Sequence, residues 1–347
     1  MRKALFIVAV PPPLHGSSQM SHSIIETFKT SFEISVINTS SPDVLRSRDF
    51  NMSKLVRGIR IIVRLVFSRR TDYELVYMTP AVNGLAFWRD IILMFWISHR
   101  LKSKKVIVHM HNKGLEFKRI RRVIFKHVNR KHTILVLSPS LIGPYQGLTT
   151  RVLKNYAPNA PKFDVSTALN RPKSKYVGFF SNLLYEKGIF DFVDIAESFR
   201  CSSVKFLVAG ADGDCTEEVL KSKIKNNQID NLDVLGAKYG QEKWHFYSTL
   251  SILLFPSKYK NECSPLVILE AIMSGVLVIA YDEGGIKDML PKGSICLVNG
   301  KDSMQNVLED IINDDQIFNE ELASQYLHVK KEFGEDKFKS EIHSIFN

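Results

Sequence analysis

The sequence predicts an α/β protein made of two doubly wound parallel-sheet domains facing a cleft. Three observations carry that expectation. Short apolar runs alternate with helical stretches through the first half of the chain, and the same alternation begins again in the second half. Between the halves, residues 158–174 are rich in Pro, Asn, Ser and Lys and show no periodicity. Strand–helix–strand alternation implies parallel strands with helices on both faces. A length of 347 residues suits two domains better than one small core. In sheets of this kind ligands sit beyond the carboxyl ends of the strands.

The elements follow in order. Residues 5–10 form a continuous apolar run closed by Pro11, Pro12 and Pro13, as a buried parallel strand does. A helix is expected at 21–29 and strands at 33–38, 75–77, 106–109 and 133–138. Helices at 54–67, 88–101 and 116–128 lie between them. In the second half, strands are expected at 176–180, 205–209, 232–235, 252–255, 276–280 and 295–297. Helices near 189–200, 215–227, 241–249 and 265–274 separate them. The chain shows no internal sequence repeat and no low-complexity tract.

Composition narrows the class. Apolar residues make up 45% and charged residues 24%, which is ordinary globular usage and excludes long disorder. Cys201, Cys215, Cys263 and Cys296 form no CxxC pair and no zinc spacing, so four reduced thiols are expected. No run reaches the roughly 18–20 apolar residues that span a bilayer. The start, Met1-Arg2-Lys3 and then apolar 4–10, ends in prolines without a small-residue cleavage site. A buried first strand and a cytoplasmic location are therefore expected. Charge divides unevenly. Residues 1–165 hold 27 Lys+Arg against 9 Asp+Glu, whereas the remainder holds 20 against 27. A basic first half suits nucleic acid, anionic lipid or a phosphorylated acceptor, and charge does not choose among them.

The most informative segment runs from Phe255-Pro256-Ser257 through Glu262 and Ser264-Pro265-Leu266-Val267 to Glu270-Ala271 and Gly275. A strand ends at Phe255 and a polar loop carries Glu262. Ser264 is expected to cap a helix whose first position is Pro265, and Gly275 is expected to stop it. The helix start leaves backbone N–H groups suited to a phosphate. Glu270 lies on an otherwise apolar helix, where a carboxylate needs hydrogen-bonding partners. Ribose hydroxyls or an internal Lys or Arg would serve, and by spacing alone Glu262 also fits a surface position.

This segment resembles the signature of the retaining glycosyltransferases of family 4 (glycosyl transferases group 1), in which two glutamates stand at the separation of Glu262 and Glu270. Val278-Ile279-Ala280 and Gly284-Gly285-Ile286 follow where that family has its next strand and glycine turn. The resemblance is strong over 176–290 and weak before it. It implies the GT-B architecture: two Rossmann-like doubly wound domains facing a cleft. The first, 1–165, would be the acceptor side and the second, 166–325, would bind the nucleotide sugar. A helix within 326–347 would cross back to the first.

The resemblance also implies roles. Lys187, in Phe180-Ser181-Asn182-Leu183-Leu184-Tyr185-Glu186-Lys187-Gly188, corresponds to the diphosphate-binding lysine. Its ammonium would offset charge growing on the leaving group. Asn182 stands where the family has an arginine, and a neutral amide cannot replace a bidentate guanidinium. Glu270 would hold the ribose; Glu262, Ser264, Pro265, Leu266 and Val267 would hold the donor sugar and phosphates. From the first domain, Gly16 would approach the donor, and His111 would stand near the reacting sugar in preference to His109. A nucleotide-diphosphate sugar is the expected co-substrate, with no metal. Asp212-Gly213-Asp214 imitates a metal-binding DxD but reads as a solvated turn.

The expected activity is transfer of a sugar with retention to a glycan or lipid-linked acceptor, in surface polysaccharide or glycolipid biosynthesis. Lys54, Arg57, Arg60 and Arg64 fall within about 120° of one another on one helical face, and a second basic cluster occupies 113–131. These two stretches are expected to place the protein peripherally on an anionic membrane surface, at the inner face of the cytoplasmic membrane. No nucleic-acid partner is expected. The rival readings are a catalytically silent GT-B-fold membrane or assembly partner and a nucleotide-sugar epimerase.

Overall fold

The computed structural model describes residues 2–12, 15–40, 56, 59–61, 63, 73–100, 104–113, 119–161, 165–169 and 173–346. The chain divides into two compact units. One comprises Met1–Pro158 together with Phe338–Asn347, and the other comprises Asn159–Lys337. The change of unit at 158/159 falls at the start of the 158–174 stretch read from composition, a few residues ahead of the 165/166 division that the resemblance implies.

The first unit has a six-stranded sheet in the order β2-β1-β3-β4-β5-β6. Its strands are β1 (Arg2–Val8), β2 (Phe32–Asn38), β3 (Leu75–Met78), β4 (Lys105–Met110), β5 (Thr133–Val136) and β6 (Thr149–Val152). All neighbours pair in parallel. The described helices are α1 (Gly16–Phe28), α2 (Gly84–Arg100) and α3 (Arg119–Val128). The central strands are buried along nearly their whole length, as sheets covered on both faces require. β6 was not expected from the sequence. Its Thr-Thr-Arg-Val is mostly polar, and exposed and half-buried residues alternate along it, because it is an edge strand. Most of 54–67 and part of 113–131 lie outside the described residues.

The second unit has the sheet order β12-β11-β10-β7-β8-β9, again all parallel. Its strands are β7 (Tyr176–Phe180), β8 (Lys205–Ala209), β9 (Leu232–Val234), β10 (Ile252–Phe255), β11 (Leu277–Tyr281) and β12 (Leu297–Val298). The helices are α4 (Val165–Leu169), α5 (Ile189–Ser198), α6 (Glu217–Asn226), α7 (Gly240–Thr249), α8 (Leu266–Met273), α9 (Lys301–Asn313) and α10 (Asp315–Glu332). The strand order reverses between β7 and β10, and such a switch point opens a crevice at the carboxyl ends of those two strands.

The end of the chain sharpens the helix expected within 326–347. α10 ends at Glu332, and α11 (Glu335–Phe346) begins after a break at Phe333–Gly334. Residues from Phe338 onward belong to the first unit. There Phe346 stacks on Phe28 at 4.4 Å and meets Tyr77 at 5.6 Å, while Phe338 meets Tyr156 at 4.8 Å. The last helix is therefore part of that unit's core.

Candidate active site

The loops following β7 and β10 in the second unit are stitched together at the switch point. The backbone N–H of Lys258 donates to the carbonyl of Glu186 (2.8 Å). A 3-10 turn, Tyr185–Lys187, presents Lys187, and Gly188 follows at φ +77° before α5 begins. A Cβ at Gly188 would stand 1.9 Å from the carbonyl oxygen of Pro256, so only glycine lets the two loops approach this closely.

That approach sets Lys187 against Glu262. The ammonium of Lys187 is ion-paired to Glu262 Oε1, which also accepts from Ser257 Oγ at 3.0 Å. The same ammonium lies 4.8 Å from the ring centre of Tyr259 and 5.8 Å from that of Phe255. Glu262 is 6% exposed, so it is no surface carboxylate. Its backbone is clamped from the other side, where Gly285 N–H donates to the Glu262 carbonyl at 2.9 Å. A Cβ on Gly285 would stand 1.9 Å from the carbonyl oxygen of Cys263. The Gly284-Gly285 turn thus supports the loop that carries Glu262.

α8 begins at Leu266 with Pro265, not Ser264, at its N-cap and without a side-chain cap. Proline's fixed φ suits the start of a helix, and Ser264 is displaced one position into the buried loop. The N–H groups of Leu266 and Val267 belong to the uncapped first turn. One turn further on, Glu270 is 3% exposed and has two partners on α7. Lys243 Nζ lies 2.6 Å from Oε1, and Tyr247 OH donates to Oε2 at 3.2 Å. Burial, and next the Glu270 carboxylate, push the Tyr247 phenol well above its usual range. Lys243 is an internal lysine partner of the kind the sequence left open for Glu270. Sequence reasoning missed Lys243 and Tyr247. Their i, i+4 spacing on α7, which puts both on one face, was the available signal.

Asn182 is exposed, and its carbonyl accepts from Leu184 N–H at 2.8 Å. Asp212 and Asp214 are used locally. Asp212 Oδ1 accepts from Glu217 N–H at the start of α6, and Asp214 Oδ1 accepts from Tyr185 N–H, both at 2.8 Å. Among the described residues no three acidic, His or Cys side chains are grouped to hold a metal ion.

In the first unit, Gly16 is exposed at the start of α1 and follows the capping residue His15, whose Nδ1 accepts from Ser18 N–H. His109 is wholly buried on β4 and bonded to Tyr77 OH at 2.6 Å through Nδ1. His111 lies just past the end of β4, half-buried, with its ring 4.3 Å from that of His109. Burial, and then the nearby His15, lower the His111 pKa to about 4. Its ring is therefore neutral at pH 7. The buried Nε2 of His111 has no hydrogen-bond partner among the described residues.

Two parallel doubly wound sheets, the second with a Lys–Glu loop pair and an uncapped helix start at its switch point, define the GT-B class of fold. Residues 163–326, nearly the whole second unit, match the family described as glycosyl transferases group 1. The fold is similar to that of Anabaena HepE, solved in complex with UDP and glucose, at 15% identity and TM-score 0.66 over 99% of both chains. It is also similar to a Rickettsia africae glycosyltransferase (12% identity, TM-score 0.70, 99% of this chain and 98% of that one). S. aureus TarM matches at 16% identity and TM-score 0.65, over 85% of this chain and 58% of its own. No curated protein matches the sequence.

Proposed function

We propose that this chain is a retaining glycosyltransferase of family 4 that moves a sugar from a UDP-sugar to a glycan or lipid-linked acceptor. The observation that carries the reading is the convergence of Lys187, Glu262, Glu270 and the bare start of α8 at one switch point. A nucleoside diphosphate is matched by these groups: phosphate by N–H groups and an ammonium, ribose hydroxyls by a carboxylate. The UDP bound in HepE supports uracil as the base.

In this reading Lys187 turns from Glu262 to the diphosphate and stabilises charge developing on the leaving group. Glu262, with Ser264 and Pro265 beside it, is then free to accept hydroxyl hydrogen bonds from the donor sugar. Glu270 exchanges Lys243 for the ribose. The first turn of α8, at Leu266 and Val267, receives phosphate oxygens. Gly16 lets the backbone approach the donor, and neutral His111 offers a hydrogen bond to the reacting sugar. The acceptor hydroxyl attacks the face that the diphosphate leaves, whose phosphate oxygen takes the proton. No metal takes part. The product belongs to surface polysaccharide or glycolipid synthesis on the cytoplasmic side.

Thermal unfolding with UDP, GDP and their sugar conjugates tests the reading. A ligand at about 100-fold over its Kd adds roughly 2.7 kcal/mol. UDP and a UDP-sugar are expected to raise the midpoint of the wild type, and Glu270→Gln is expected to lose most of the shift. Asn182 in place of the family's arginine favours one second reading, a silent GT-B partner. Nucleotide binding with no donor turnover against any acceptor would select it, and no shift with any nucleotide would sink both.

A further inference from the structure

The first unit carries an apolar surface that the proposed chemistry does not use. α2 is apolar on both sides. Its inner face buries Phe87, Leu93, Met94 and Ile97, and buries Asp90 against Arg89. Its outer face presents Leu85, Trp88, Ile92 and Phe95 at 3-4-3 spacing, which places them within about 80° of one another. α3 packs beside α2 and adds Ile120 and Val123. These six side chains are 41–72% exposed. Helices that are apolar all round are ordinarily buried, and a contiguous apolar patch of this kind marks a contact surface.

The surroundings identify what it contacts. α3 carries Arg119, Arg121, Arg122 and Lys126 and no carboxylate, and the one carboxylate of α2 is the buried Asp90. Arg121 lies 5.6 Å from the ring centre of Phe87 and 6.0 Å from that of Trp88, tying the basic helix to the aromatic stripe. An exposed tryptophan beside arginines is the arrangement of a membrane–water interface: rings at headgroup depth, guanidinium groups on phosphates. A second copy of the chain would bring the same four cations face to face within a Debye length of about 8–10 Å, so self-pairing is disfavoured. Among the described residues no helix is long and apolar enough to cross a membrane, so contact is in the plane of the surface.

We propose that the outer face of α2, with α3 as its cationic rim, is a docking surface for anionic phospholipid bilayers. Leu85, Trp88, Ile92 and Phe95 enter the interface, and Arg119, Arg122 and Lys126 hold headgroup phosphates. This places the contact on α2, a helix with only two arginines, and not on basic stretches alone. It does not depend on the transfer reaction.

The test is co-sedimentation of the full chain with vesicles of pure phosphatidylcholine and of phosphatidylcholine with 30% phosphatidylglycerol, at low and high salt. Preference for the anionic vesicles, weakened by salt, is expected. The double variant Trp88→Ser/Phe95→Ser should reduce binding at least tenfold, as should Arg119→Ser/Arg122→Ser. Trp88→Phe keeps the packing and supplies a second measurement. Brominated lipid should quench the fluorescence of the wild type, and that quenching should largely vanish in this variant. Equal binding to both vesicles, or quenching that survives Trp88→Phe, overturns the proposal. Loss of a concentration-dependent dimer in Trp88→Ser/Phe95→Ser, without vesicle binding in the wild type, would assign the face to a second copy instead.

Discussion

Lys187 and Glu262 hold each other in place, so the structural part of each can be separated from its proposed chemical part. Glu262 is buried and Lys187 nearly so, so removing the cation strands a carboxylate at a cost of roughly 3 kcal/mol. Lys187→Met is expected to lower the thermal midpoint and to cut kcat about 100-fold or more, as loss of a transition-state charge donor does. Adding Glu262→Gln should restore most of the stability and none of the rate. Recovery of both together would show that Lys187 acts only by holding the loop. The sequence displayed both residues and their family counterparts. It did not display their pairing, because a contact 75 positions apart depends on how closely two loops can approach.

At the scale of elements, that approach rests on glycines. Gly285 has an ordinary backbone conformation (φ −92°), so its need is steric: any Cβ collides with the backbone at Cys263. Gly285→Ala is expected to push the 259–264 loop away from β11 and break the hydrogen bond to the Glu262 carbonyl. Transfer measured as kcat/KM should fall at least tenfold, with a weaker thermal response to UDP. Unchanged kinetics would mean the loop tolerates the shift. The strands were legible because buried parallel strands are unbroken apolar runs, as at 252–255 and 206–209. β6 was not, since an edge strand keeps polar residues on its open side. The start of α8 slid by one residue because Ser-Pro offers two neighbouring places to begin a helix.

At the scale of the whole molecule, buried histidines set a pH dependence. His109, His111 and His132 lie in the first unit, and burial lowers all three, His111 and His132 to about 4. Unfolded, each titrates near 6.5, so below that pH the unfolded chain binds protons that the folded unit refuses. Their contribution is fully present above about 6.5 and is lost as the pH falls toward 4. Urea unfolding followed through Trp88 and Trp96 in a Trp244→Phe variant should show the first unit less stable at pH 5 than at pH 7.5. An unchanged midpoint would show that these rings gain compensating partners when protonated.

Two parallel α/β sheets and the order of nearly all their elements were legible in the residues alone, as were the loops proposed to carry chemistry. Apolar periodicity and strand–loop–helix spacing are local properties, written residue by residue. Which groups meet became visible in the folded chain: Lys187 with Glu262, Glu270 with Lys243 and Tyr247, His109 with Tyr77, and Phe346 with Phe28. So did the bare outer face of α2, since an apolar run reads alike whether its second side is covered or open. Burial and pairing arise from chain segments distant in sequence, and their partners follow from packing, not from spacing.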